Sequence, residues 1–269
     1  MPVNPVKSCD LVAMFSKAVV RTPSNSFASG LTSAQLGPPV LERVLQQHDA
    51  YCETVQSCGL DLIRLAPDEL YPDSTFVEDT AVLTVRGAVI TRPGAASRLG
   101  EIDSIAPVLR EHYREVHSIR APGTVDGGDV CEAGEHFFIG LSQRTNQEGA
   151  DQLAELLDSF GYSSSLIDIR GLSNILHLKS GLAYLGSKHL VVIEALRGYK
   201  EFSDYELTCL SSAEQYAANC LSLNGRVLIA AGFPAIKEQL EHLGYETIAL
   251  DMSEFQKMDG GLSCLSLRF

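Results

Sequence analysis

A single recurring pattern constrains this chain most: two short apolar runs, a longer amphipathic run, then another short apolar run. Short apolar runs bounded by turn residues read as strands, and apolar residues at i, i+3, i+4 and i+7 read as a helix. Residues 76–85 and 88–92 form one strand-like pair across Arg86 and Gly87. A helix-like stretch follows over 97–114, where Pro107 demands a kink or a later start. Residues 125–132 and 136–142 form a second pair; Leu153, Leu156, Leu157 and Phe160 then mark a helix that Gly161 is placed to cap. Residues 173–178 and 182–193 form a third pair. A fourth, 220–223 and 226–230, flanks Asn224 and Gly225, the strongest short hairpin signal. Pro234 then opens a helix carrying Ile236, Leu240 and Leu243, with Gly244 to end it. The fifth unit is split: a strand at 12–21 and a helix at 39–58 lack a hairpin partner, which is expected within 261–269.

The spacing is roughly 45–50 residues per unit, the range of repeat architectures in which one unit cannot bury its apolar face alone. Five units consume residues 1–269 without a linker, so a single α/β domain is expected. The long Gly/Ser/Thr-rich loop at 22–37 stands outside this pattern and is read as a mobile lid.

Thirty-four acids against twenty-one bases give a net charge of −13. Such a surface repels phosphate backbones and anionic lipid, which argues against nucleic-acid and membrane partners and favours a cationic small molecule. No apolar run approaches the roughly 20 residues of a membrane span. Seven scattered cysteines with no C-x-x-C pair point to reduced thiols and a cytoplasmic location.

Glycine-rich phosphate loops and standard zinc motifs are absent, and the spacing in EHYREVH (111–117) fits no metal helix, so neither a metal nor a cofactor is expected. His48, His136, His189 and His242 are read as structural. Five strings place charged or reactive residues where apolar ones would be usual. PDSTFVEDTAV holds Asp73, Glu78 and Asp79, which fit either an exposed edge or an acid-lined pocket for a guanidinium or amine. TVDGGDV sets Asp126 and Asp129 around two glycines, a tight turn or an acid that orients a histidine. His177 lies between two leucines in an expected strand, and Arg98 and Arg144 sit beside small-residue turns. Cys264 follows a Gly-Gly turn; a nucleophilic role would require a histidine and an orienting acid nearby in space.

Taken together, FVED (76–79), ITRPGAASR (90–98), VDGGDV (125–130), GLSQRTNQ (140–147), LHLKS (176–180), AANCLSLN (217–224) and MDGGLSCLS (258–266) resemble the dimethylargininase family of the pentein superfamily. The strings appear in the family's order along almost the whole chain. The resemblance implies a five-bladed α/β propeller with its active site at the central channel. It implies a cysteine hydrolase that converts methylated arginine to citrulline and an amine. Cys264 matches the nucleophile, His177 the general acid and water activator, and Asp126 the acid that orients His177. Asp79 matches the carboxylate that grips the guanidinium, with Glu78 beside it and Asp73 toward the substrate's amino end. Arg98 and Arg144 match a clamp on the α-carboxylate, and Leu31 and Met258 match backbone contacts. A monomer or homodimer is expected.

Three departures stand out. Leu265 replaces the second of two adjacent cysteines found in many relatives, Asp126 stands where some have glutamate, and the lid is the least matched segment. The competing readings are an arginine or agmatine deiminase and a non-catalytic binding protein of the same fold. Agmatine lacks the carboxylate that Arg98 and Arg144 would meet, and a binding protein would need no Cys–His–acid set.

Overall fold

The computed structural model describes residues 14–269. The first two residues of the strand expected at 12–21, and Cys9, lie outside the described residues. In the first sheet β1 (Lys17–Arg21) runs parallel to β2 (Asp61–Leu65), the two being joined by helix α1 (Leu41–Ser57). The second holds the hairpin of β3 (Ala81–Leu83) and β4 (Ala88–Ile90); after α2 (Ile102–His112), β5 (Val116–Ser118) pairs parallel to β4. The third repeats this with β6 (Val130–Glu132), β7 (His136–Leu141), α3 (Gln147–Ser159) and β8 (Ser163–Asp168). The fourth joins β9 (Leu182–Gly186), β10 (His189–Ile193) and β11 (Glu206–Leu210), with two 3-10 turns where the others have a helix. The fifth contains β12 (Leu221–Leu223), β13 (Arg226–Ala230), α4 (Pro234–His242) and β14 (Glu246–Leu250). After the short α5 (Ser253–Gln256), β15 (Leu267–Arg268) returns antiparallel to β1 and completes the first blade, as the split unit requires. The result is a five-bladed α/β propeller.

Local sequence accounts for most boundaries. Asn224 and Gly225 both take positive φ, 47° and 88°, the geometry of a type I′ hairpin turn. Gly161 and Gly244 end their helices at φ 84° and 91°. Pro107 lies inside α2, which begins later than expected, after a 3-10 segment at Ala96–Glu101.

A 3-10 turn precedes the first strand of each hairpin and another precedes β15; those at 77–80, 127–129 and 263–265 stand where strand was expected. The five are Val77–Thr80, Gly127–Asp129, Leu178–Ser180, Gln215–Ala218 and Ser263–Leu265. The hairpin expected from 173–178 and 182–193 is therefore corrected: β9 pairs with β10 across Ser187 and Lys188, and His177 precedes a turn. The turns release backbone N–H groups from the sheet ladder, and buried carboxylates take them up. Gly128 N donates to Asp79 at 2.9 Å and Leu178 N donates to Asp129 at 3.0 Å. Leading strands of adjacent blades lie together, β9 against β6 and β12 and β15 against β3, so all five turns gather near the axis.

No blade has a private core. One apolar cluster joins Val19 and Leu267 of the first blade to Ala88, Ile90, Ile105 and Leu109 of the second. Leu153 on α3 is wholly buried in another. Leu153→Ala is expected to cost about 2–5 kcal/mol, measured by urea unfolding. Among the described residues no helix is long and apolar enough to cross a membrane, and six cysteines are free thiols.

Candidate active site

Four of the five turns bring the expected reactive groups together. Cys264 comes from the last turn, His177 stands at the head of the 178–180 turn, and Asp79 belongs to the 77–80 turn; all three line one narrow cavity. Asp73, Arg98, Arg144, Leu31 and Met258 line the same cavity. Asp126, fully buried beside the Gly127–Asp129 turn, lies behind His177 and accepts from its Nε2 at 3.0 Å. Close approach here requires glycine: a Cβ on Gly128 would sit 2.7 Å from His177 Nδ1 and 2.8 Å from Asp79 Oδ1.

Electrostatics treats the thiol and the imidazole differently. Burial, reinforced by Glu78 and Asp79, pushes the Cys264 thiol up to about 12, which favours the neutral thiol. Burial also opposes a charged His177. The carboxylates of Asp79, Asp129 and Asp126 outweigh it and raise the imidazole to about 9. His177 is thus an imidazolium at neutral pH, lining the same cavity as the Cys264 thiol. Because the folded value exceeds the unfolded 6.5, its contribution to stability is full below that pH and is lost as pH rises through about 9. An NMR titration of the His177 ring should show a midpoint near 9, and Asp126→Asn should lower it.

Arg98 is deeply buried and committed to the protein. Its Nη1 meets Asp79 at 2.5 Å, Nε and Nη2 meet Glu101 at 2.9 and 2.8 Å, and Nη2 also reaches the carbonyls of Asp73 and Phe76. Of the expected carboxylate clamp, only Arg144 keeps a guanidinium without a hydrogen-bond partner among the described residues. The carboxylate of Asp73, raised by burial against the pull of Arg98 and Arg144, accepts from Leu31 N at 3.0 and 3.2 Å. The loop expected to act as a lid is fastened there. At its tip Ser33 N and Oγ donate to Asp259 at 2.5 and 3.0 Å, while Phe27 packs on Phe76 and Phe255.

Glu78 stands next to Asp79 but points another way. Its side chain does not line the cavity; it faces a separate space of about 1450 Å³, where Lys179 lies 2.7 Å away and Arg268 3.1 Å away. Adjacent residues of a tight turn project differently, and two basic groups on the far side satisfy this carboxylate. Sequence reasoning gave no role to Glu101 or Asn219 and named Asp129 only with Asp126, as an acid able to orient a histidine. Asp129 is fully buried and bonded to Ser142 and Thr145 at 2.6 and 2.7 Å; the second acid of VDGGDV was the available signal. Glu101 was signalled by its spacing from Arg98, three residues along one turn.

Asp79, Asp126 and His177 offer ligand atoms within 4.8 Å of one another, a spacing that could hold a metal ion. The guanidinium of Arg98 and the imidazolium of His177 already pair with these two carboxylates.

No family model matches the chain. It is 46% identical over 257 residues to an N(G),N(G)-dimethylarginine dimethylaminohydrolase from Pseudomonas aeruginosa, covering 95% of this chain and all of the relative. A solved structure of the Pseudomonas aeruginosa enzyme, a cysteine-to-serine mutant complexed with citrulline, superposes with a TM-score of 0.92 at 45% identity over 95% of this chain and all of that one. A histidine-to-glycine dimethylarginine dimethylaminohydrolase, captured as an adduct with S-methyl-L-thiocitrulline, matches with the same TM-score, identity and coverage. At this identity, spread over nearly the full length of both chains, the protein belongs to the dimethylarginine dimethylaminohydrolase family.

Proposed function

We propose that the five blades act as one catalytic unit that hydrolyses Nω-methylated arginine to citrulline and dimethylamine or methylamine, with Cys264 as nucleophile. The observation that carries this reading is the meeting, in one cavity, of a thiol, an acid-paired imidazolium and the Asp79 carboxylate, with Arg144 unpaired in the same wall. Relatives crystallised with citrulline and as a thiocitrulline adduct support the same chemistry.

A substrate guanidinium beside Asp79 places a positive charge next to the neutral thiol and lowers its pKa, and the thiol proton leaves to water. The thiolate of Cys264 attacks the guanidinium carbon. His177 gives its proton to the departing amine as the C–N bond breaks, leaving a cationic thiouronium on sulfur. The neutral imidazole then takes a proton from water, whose oxygen attacks the same carbon. Collapse breaks the C–S bond and releases citrulline; the hydroxyl proton passes through water to sulfur and restores the neutral thiol, and His177 is again an imidazolium oriented by Asp126. At the amino-acid end, Arg144 meets the α-carboxylate, while Asp73 and the backbone of Leu31 and Met258 meet the ammonium.

Incubation with asymmetric dimethylarginine, monomethylarginine, arginine and agmatine, following citrulline, carbamoylputrescine, amines and ammonia, tests the reading. Dimethylamine with citrulline is the expected result. Ammonia from arginine with inert methylarginines would indicate a deiminase, and no turnover of any substrate would indicate a binding protein. Arg144→Met should raise KM for dimethylarginine by about 10- to 100-fold, through loss of a charge-assisted contact worth roughly 1.5–3 kcal/mol, with a smaller change in kcat. Initial-rate kinetics checks it.

A further inference from the structure

Four of the five axial turns supply the chemistry or its immediate support; the turn of the fifth blade, Gln215–Ala218, supplies none of the assigned residues. Its capping residue, Asn219, is buried and has its side-chain amide fully engaged. Nδ2 donates to the carbonyl of Lys179 at 2.9 Å and to Ser263 Oγ at 3.0 Å, and Oδ1 accepts from Ser263 N at 2.9 Å. Ser263 immediately precedes Cys264, and Lys179 lies two residues beyond His177. Ser263 Oγ donates onward to Glu78 at 2.7 Å, and Glu78 immediately precedes Asp79. The approach is tight: a Cβ on Gly261 would lie 2.4 Å from Asn219 Oδ1.

We infer that Asn219 is a positioning residue that fixes the sulfur of Cys264 relative to the imidazole of His177, acting through the backbones of Ser263 and Lys179. An amide suits this task because it donates two hydrogen bonds and accepts one without carrying charge. A carboxylate would present a lone pair to the Lys179 carbonyl and add a negative charge near Glu78. Asn219 lines no part of the substrate cavity, so it acts on the alignment of nucleophile and acid and leaves substrate contacts intact.

This inference rests on the proposed roles of Cys264 and His177. Asn219→Ala removes all three hydrogen bonds; Asn219→Asp keeps the shape and the acceptor but loses the donors. Misplacement of a nucleophile by about 1 Å costs on the order of 100-fold in rate. Both variants are therefore expected to lose about 10- to 100-fold in kcat, with KM for dimethylarginine changed less than about threefold. Thermal unfolding identifies the folded fraction used to normalise the rates, and the isosteric Asp variant serves if the Ala variant does not fold. A normalised kcat equal to wild type would overturn the inference, as would a loss confined to KM.

A second readout does not require turnover: alkylation of Cys264 by a chloroacetamidine, whose cation seeks Asp79, compared with neutral iodoacetamide. Wild type should prefer the cationic reagent, and both variants should lose at least about tenfold of that preference if alignment is lost. If wild type turns over no methylarginine, the proposed function fails, yet this ratio still decides the role of Asn219. An unchanged ratio would overturn it.

Discussion

Cys264→Ser is expected to lower turnover of dimethylarginine by at least ~10⁴-fold, while the protein keeps its fold and binds substrate. Sulfur is the better nucleophile, and the guanidinium that draws a proton from a thiol cannot bring a hydroxyl, far weaker as an acid, to its anion. The side chain faces the cavity at the edge of an apolar cluster, and serine, being nearly isosteric and slightly smaller, fits the same space. Citrulline release, far-UV circular dichroism and calorimetric binding of dimethylarginine check the three parts. Turnover within tenfold of wild type would move the nucleophile elsewhere.

His177→Gly is expected to lower turnover of dimethylarginine by about 10³-fold, near the middle of the range for a lost general acid. An amine cannot leave as its anion, so the first step stalls. S-methyl-L-thiocitrulline is different because its thiolate leaves without a proton. It should still form the adduct on Cys264, and the adduct should persist because no imidazole remains to activate water. Stopped-quench mass spectrometry distinguishes the two substrates. The variant should also be less stable by roughly 3–5 kcal/mol, since Asp126 would keep a buried charge without its partner. This penalty should shrink as pH rises through about 9 in wild type, where His177 loses its own charge.

Much of the propeller is legible in the sequence because its signals are local. Asn224 and Gly225 declare a hairpin through the φ values they tolerate, and α3 declares itself through the spacing of Leu153, Leu157 and Phe160. The five axial turns were not legible. Strings such as FVEDT and NILHL have strand-like composition, and only the buried partners of their polar residues require a turn. Glu78 shows the reason clearly: its direction is decided by Arg268, 190 positions away, and by Lys179 from another blade. Arg98 and Arg144 look alike as strings, yet one is locked by Asp79 and Glu101 while the guanidinium of the other lines the cavity without a partner among the described residues. Asn219 carries no charge and sits in an apolar string, so its links to Ser263 and Lys179 are visible only in three dimensions.

The central claim is that Cys264 attacks the guanidinium carbon of a methylated arginine and expels its amine. Acid quenching during steady-state turnover of asymmetric dimethylarginine, followed by peptide mass spectrometry, tests it most directly. A thiouronium adduct is expected on the peptide containing Cys264, with dimethylamine and citrulline released in equal amounts once turnover is complete. Citrulline formed with no adduct on that peptide, or an adduct on another cysteine, would contradict it.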